Sequence, residues 1–178
     1  MSDMIEKGAS WPEQLTKARA AFLAKEEDSD MDPMAHRFLL MLASVYRLWG
    51  KIRLTHLQPW IASWALPEIY AGIEGQGAND AAYATAIEIE LFRVHKESYT
   101  GGAADIFKCF DQIRREIVYK LMKEAGIPRG VLQAYQSFQE ALCVRNTIAG
   151  GLGEEYARPT SIPQGDPLSM MIASLLLR

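Results

Sequence analysis

Ser161-Ile162-Pro163-Gln164-Gly165-Asp166-Pro167-Leu168-Ser169 is a tight turn that opens an apolar helix. It follows Ala104-Asp105-Ile106-Phe107-Lys108-Cys109-Phe110-Asp111, an acid inside a strand-like run with an aromatic five residues on. Gly165 lets the backbone approach a ligand closely, and Gln164 offers both a donor and an acceptor. Pro167 suits the first turn of the helix that follows. A carboxylate at the end of a buried strand is held firmly while the loop side stays open, which suits Asp105 to metal binding. Read alone, Asp105 fits equally a helix cap or a partner for Lys108, and Asp166 fits a plain turn and cap.

Outward from these segments, the chain reads as α+β and mainly helical. Ser10 is a plausible cap for an amphipathic helix over Trp11 to Lys25, with Trp11, Leu15, Ala18, Phe22 and Leu23 on one face. Phe38, Met41, Leu42, Val45, Trp49 and Ile52 predict a second helix, although the run from Phe38 to Leu42 is also compatible with a strand handing over near Ser44. A helix through about His95 starts at Asn79 or Asp80, with Tyr83, Ile87, Leu91 and Val94 on one face. A buried strand is predicted over Ala103 to Phe107. A helix over Gln112 to Ala125 follows, with Ile113, Ile117, Leu121 and Met122 inward and Gly126 as its stop. Pro128 to Ala141 predicts a helix, Leu142 to Ala149 a strand, Gly150, Gly151 and Gly153 a turn, and Pro167 to Leu177 an apolar helix. That last run is expected to leave part of the core uncovered.

With 178 residues, 49% hydrophobic and 23% charged, the chain suits one domain or a large part of one. No apolar run of about 18 residues is present to span a bilayer, and the first ten residues lack a secretory signal pattern. The expectation is an intracellular protein, cytoplasmic or nuclear, not secreted and with no membrane partner. Cys109 and Cys143 have no metal-ligand spacing and read as buried, unpaired thiols. The net charge of -3 weighs mildly against a free-standing nucleic-acid binder. Part of that acidity is local, since Glu26-Glu27-Asp28-Ser29-Asp30-Met31-Asp32 places five carboxylates in a solvated run.

The two opening segments resemble motifs A and B of the reverse transcriptases of non-LTR (LINE-like) retrotransposons. Motif A of that family reads roughly Asp-hydrophobic-x-Lys-Ala-Phe-Asp, and Asp105 to Asp111 matches it with Cys109 in place of Ala. Motif B reads Gly-hydrophobic-Pro-Gln-Gly-Asp/Cys/Ser-Pro-Leu-Ser, and Ser161 to Ser169 departs from it only at Ser161. His36 to Met41 and Val45 to Trp49 are similar to the family's Arg-Pro-Ile-x-Leu and Val-x-Tyr-Arg segments, without the proline after Arg37. Gly72 to Ala81 resembles the loop ahead of motif A, and Asn146 to Gly151 falls where the family places a template-side strand.

The resemblance implies partial fingers and palm of a right-hand polymerase over 33–178, behind an N-terminal helix and acidic loop over 1–32. It implies an RNA-directed DNA polymerase fragment running two-metal nucleotidyl transfer, with Mg2+ or Mn2+ as cofactor. RNA template, DNA primer and deoxynucleoside triphosphates are the implied partners. By the same resemblance Asp105 and the Ile106 carbonyl are metal ligands, Phe110 excludes a 2' hydroxyl, Gln164 and Gly165 seat the nucleotide, and Arg37 touches its phosphates. Arg145 is a candidate phosphate contact, with a solvated strand arginine as the alternative. The family's Tyr-x-Asp-Asp hairpin and thumb are absent from this sequence. The expectation is therefore an incomplete ligand set, completed by a further palm and thumb segment, and no polymerisation by this piece alone. A decayed or repurposed fragment that binds nucleic acid or protein without catalysis is the alternative, and an incidental helical protein is a third.

Overall fold

The computed structural model describes residues 1–24, 36–148 and 150–178. The acidic run from Glu26 to Asp32, Pro33 and Ala149 lie outside the described residues. Four strands form one mixed sheet in the order β2-β1-β3-β4: β1 Lys17–Ala24, β2 His36–Met41, β3 Cys143–Ile148 and β4 Gly151–Ala157. β1 pairs antiparallel with β2 and parallel with β3, and β3 pairs antiparallel with β4. The helices are α1 Ser2–Glu6, α2 Ser44–His56, α3 Gln58–Trp64, α4 Ala78–His95, α5 Cys109–Gln112, α6 Arg115–Glu124, α7 Arg129–Ala141 and α8 Ser169–Leu177. Among the described residues, no helix is long and apolar enough to cross a membrane.

The predicted helix over Trp11 to Lys25 is instead a short 3-10 turn, Glu13–Leu15, followed by β1. Alanine is the best helix former, but propensity is worth only tenths of a kcal/mol per residue, and the hydrogen bonds on both edges of β1 outweigh it. The burial has period two: Ala18 and Ala20 face the core, and Lys17 and Arg19 face out. β2 resolves the ambiguity at Phe38 in favour of the strand, with α2 starting at Ser44. Residues ahead of the acidic run are knit into the main core, and the α-helix there is the short α1, Ser2–Glu6. Trp11 packs edge-on against Tyr46, Trp49 and Phe138 at 5.4 to 5.5 Å, and its indole N–H donates to the Ala134 carbonyl at 2.8 Å. Glu6 accepts from Trp49 at 2.8 Å and pairs with Arg53 at 2.5 Å.

The strand predicted over Ala103 to Phe107 does not form. None of the four described strands pairs with this segment, and an extended chain without a hydrogen-bonding neighbour gains nothing from the strand geometry. Ile106 and Phe107 are 49% and 62% exposed. The single helix predicted from Gln112 is two, α5 and α6, separated by extended backbone at Ile113 and Arg114. Hydrogen bonds to Ser161 and Thr160 hold the Ile113 carbonyl outside a helical ladder. Ile113, Val118 and Met122 turn inward, while Ile117 faces solvent.

Gly126 stops α6 as expected. Its φ of +77 lets its own N–H reach Lys123 and that of Ile127 reach Met122. The glycine turn predicted from Gly150 to Gly153 is confined to Gly150, at φ +80, and β4 begins at Gly151. The face of α4 follows the predicted spacing, but the helix buries none of its residues. Most of α8 is buried, and an apolar groove of about 280 Å³ stays open between Ile106, Ile113, Ile117 and Leu177. Trp49 and Trp64 are core residues, and both cysteines are free but only half-buried.

Trp11→Ala should cost about 3–5 kcal/mol in urea unfolding, because it removes a buried ring and leaves its neighbours around a cavity. A loss below about 1 kcal/mol would place Trp11 on a surface helix and contradict this core.

Candidate functional site

Three stretches distant in sequence meet at the turn Ser161–Gly165. The Leu40 N–H on β2 donates to the Gln164 carbonyl at 2.9 Å. The Ile162 N–H donates to the Phe110 carbonyl at 3.1 Å, and the Ser161 N–H to the Ile113 carbonyl at 2.8 Å. Backbone hydrogen bonds thus set the turn's position against both the edge strand and the α5 segment. Gly165 is required by this seat. Its φ is +120, and a Cβ there would lie 2.6 Å from the Leu40 carbonyl oxygen. Ser161 adopts φ +76 without being glycine, and its hydroxyl accepts from Arg158. The Arg158 guanidinium also lies over the Phe38 ring at 5.2 Å. Burial lowers its pKa, and the nearby Asp111 charge works against that shift.

Beneath the turn, Asp166 is only 6% exposed. Its Oδ2 accepts from the Tyr46 hydroxyl at 2.7 Å and from Gln139 Nε2 at 2.8 Å, and its Oδ1 accepts from the Leu168 N–H at 2.9 Å. Burial is the dominant effect and pushes its pKa up to about 6, against the three hydrogen bonds, which lower it. The cap-like bond to Leu168 is the one the sequence suggests. Tyr46 and Gln139 are partners that sequence reasoning missed. They stand on α2 and α7, and no local pattern signals a contact across so many residues. Ser169 donates to the Pro163 carbonyl at 2.7 Å and closes the turn from the helix side.

The predicted site residues divide into two groups. Phe110 is half-buried beside Ile162, Gln164 is half-buried against β2, and Gly165 is exposed at the tip of the turn. Arg37 lies outward on β2, opposite Leu23 and three residues before Leu40. Asp105 and Ile106 are not held in this way. They lie on the exposed segment ahead of α5, and the Ile106 carbonyl accepts from the Cys109 N–H at 3.3 Å. Asp111 lies within α5. Among the described residues, no three His, Cys, Asp or Glu side chains gather to hold a metal ion. A hard divalent cation takes several oxygen ligands, and two such ions take more. The residues present do not fit a two-metal centre.

The outward face of the sheet carries a second feature. Cross-strand register puts Lys17, Arg19, Arg37 and Arg145 on one face, with Arg19 directly beside Arg145. Lys17 pairs with Glu13 at 2.7 Å and Arg145 with Glu155 at 3.2 Å, so Arg145 is an exposed, ion-paired strand residue. A hollow of about 370 Å³ lies between Lys17, Arg19, Arg145, Leu152 and the Glu155 carboxylate. Like charges on neighbouring strands repel, and an anion laid across them relieves the repulsion.

No protein-family model matches the chain. Over 168 residues, 93% of its length, it is 25% identical to the Retrovirus-related Pol polyprotein from type-2 retrotransposable element R2DM of Drosophila melanogaster. The chain spans 15% of that protein. This similarity relates the chain to a retrotransposon polyprotein.

Gly165→Ala should cost about 1–3 kcal/mol through backbone strain and displace the turn from β2. Amide hydrogen exchange at Leu40 checks it. Protection of that N–H should fall in the variant, and unchanged protection would mean the turn does not depend on the glycine.

Proposed function

We propose that this chain is a fingers-and-palm portion of a reverse transcriptase domain, and that it seats a deoxynucleoside triphosphate and an RNA template paired with a DNA primer. The supporting observation is the meeting of Phe110, the Gln164–Gly165 turn and the strand that carries Arg37. The similarity to a retrotransposon polyprotein supports the same reading. In it, Arg37 attracts the phosphates, Gln164 and the open backbone at Gly165 contact sugar or base, and the Phe110 ring crowds a 2' hydroxyl. Asp105 and the Ile106 carbonyl, metal ligands by the family resemblance, do not make a metal site in this chain. The chain by itself therefore binds and selects, and does not polymerise.

Nucleotide photo-crosslinking tests this. Deoxynucleotides should label the chain more strongly than ribonucleotides, Phe110→Ala should reduce that preference, and Arg37→Ala should weaken labelling of both. Primer extension on an RNA template should be undetectable with the isolated chain. Labelling that ignores both substitutions would remove the nucleotide site, and extension by the isolated chain would overturn its incompleteness.

The basic sheet face favours a second reading, a retroelement-derived segment that binds nucleic acid without catalysis. Its signature is steep salt dependence with no metal requirement. In fluorescence anisotropy with a labelled RNA–DNA hybrid, Arg19→Glu should weaken binding and reduce the salt slope by about 1. Hybrid binding with no labelling by nucleotides would select this reading over the first.

A further inference from the structure

Asp166 is a buried carboxyl with three hydrogen-bond donors and no cation to balance it. The titratable groups facing it are Tyr46 from α2 and Tyr135 from α7, and burial drives both further from ionising. Arg115 on α6 reaches the same part of α7. Its guanidinium is engaged by the Gln139 carbonyl at 2.9 Å, by the Arg158 carbonyl and by Glu140 at 3.4 Å. Among the described residues no positive side chain offsets the carboxylate, and its folded-state pKa is raised to about 6 by desolvation.

Two neighbouring atoms show what this arrangement lacks. Gln139 Oε1 and the Tyr135 hydroxyl are buried without partners, one turn apart on α7. A buried acceptor without a donor destabilises the fold. Turning the terminal amide of Gln139 by half a rotation exchanges its oxygen and nitrogen at almost no steric cost.

We propose that Asp166 is a protonatable latch: in its uncharged form the acid donates from Oδ2 to Gln139 Oε1, turned to meet it, and clamps the Gln164–Gly165 turn onto α2 and α7. The proton comes from solvent and forms the Oδ2–H bond, and no other covalent bond changes. Oδ2 still accepts from Tyr46, and Oδ1 still accepts from the Leu168 N–H. The displaced Gln139 Nε2 gives up its bond to Oδ2 in the exchange. One proton thereby removes an uncompensated charge and gives the orphaned Gln139 Oε1 a donor. The latch acts on the turn whatever that turn binds.

The linkage has a definite sign. A carboxyl with a raised folded-state pKa contributes stability that is fully present below about pH 4 and is lost as pH rises through about 6. The measurement uses the whole chain. 13C NMR of the aspartate carboxyl carbons should show one titrating near pH 6, and Asp166→Asn should delete that resonance. Over about pH 7.5 to 5, exchange protection at Leu40, corrected for intrinsic rate, should rise in the wild type and stay flat in Asp166→Asn, which already donates toward Gln139. Should Asp166→Asn fail to fold, the wild-type titration and the protection profile still decide. Carboxyl carbons that all titrate in the ordinary range overturn the proposal, as does a titration near pH 6 that Leu40 protection does not follow.

Discussion

Tyr46 lies where the aromatic core turns polar. Its ring stacks on Phe138 at 3.4 Å, nearly parallel, and its hydroxyl donates to Asp166. This one side chain joins the packing of α2 on α7 to the turn ahead of α8. An isolated carboxylate in such a place would cost several kcal/mol in lost hydration, and each donor that reaches it offsets part of that cost. The geometry is consequently mutual. α2 and α7 must be docked for Asp166 to be satisfied, and Asp166 must be satisfied for the turn to stay where its N–H and C=O groups meet Leu40 and Phe110. The close approach of Pro167 to Gly50, where a Cβ would lie 3.2 Å from the proline ring, adds a steric stop to the same joint.

The sequence was most legible where a local rule decides the conformation. The α7 helix behind Pro128, the stop at Gly126, the β3 strand and the apolar α8 all follow from residues that interact within a turn or two. The misread elements needed distant partners. Lys17–Ala24 has a helical composition, and it becomes a strand because β2 and β3, more than a hundred residues apart in the chain, supply hydrogen bonds to both of its edges. Ala103–Phe107 has a strand's composition and stays irregular, paired with none of the four described strands. In both cases local propensity, worth tenths of a kcal/mol per residue, was overruled by a tertiary condition.

The candidate site shows the same division. Gln164, Gly165 and Phe110 were recognisable from spacing and from family resemblance, and all three adjoin one joint in the fold. Tyr46 and Gln139 were not recognisable as part of it, because a tyrosine and a glutamine on amphipathic helices look like ordinary core and boundary residues. The informative sign was Asp166 itself, an acid flanked by Gly165 and by Pro167-Leu168 at the head of an apolar helix. An acid entering a core demands donors, even when the sequence does not say which.

A binding group is only as effective as the structure that fixes it. The Gln164–Gly165 turn is fixed on three sides: by Leu40 from the sheet, by Phe110 and Ile113 from the α5 segment, and by Asp166 from below. Asp105, in contrast, sits on an exposed, unpaired segment, so placing its carboxylate at a metal would spend conformational entropy that a strand would already have removed. The difference in rigidity ranks the two halves of the proposed chemistry. The turn proposed to seat a nucleotide is already held in place, whereas gathering a metal would require Ala103–Phe107 to be ordered by an added strand edge or by the ligand itself.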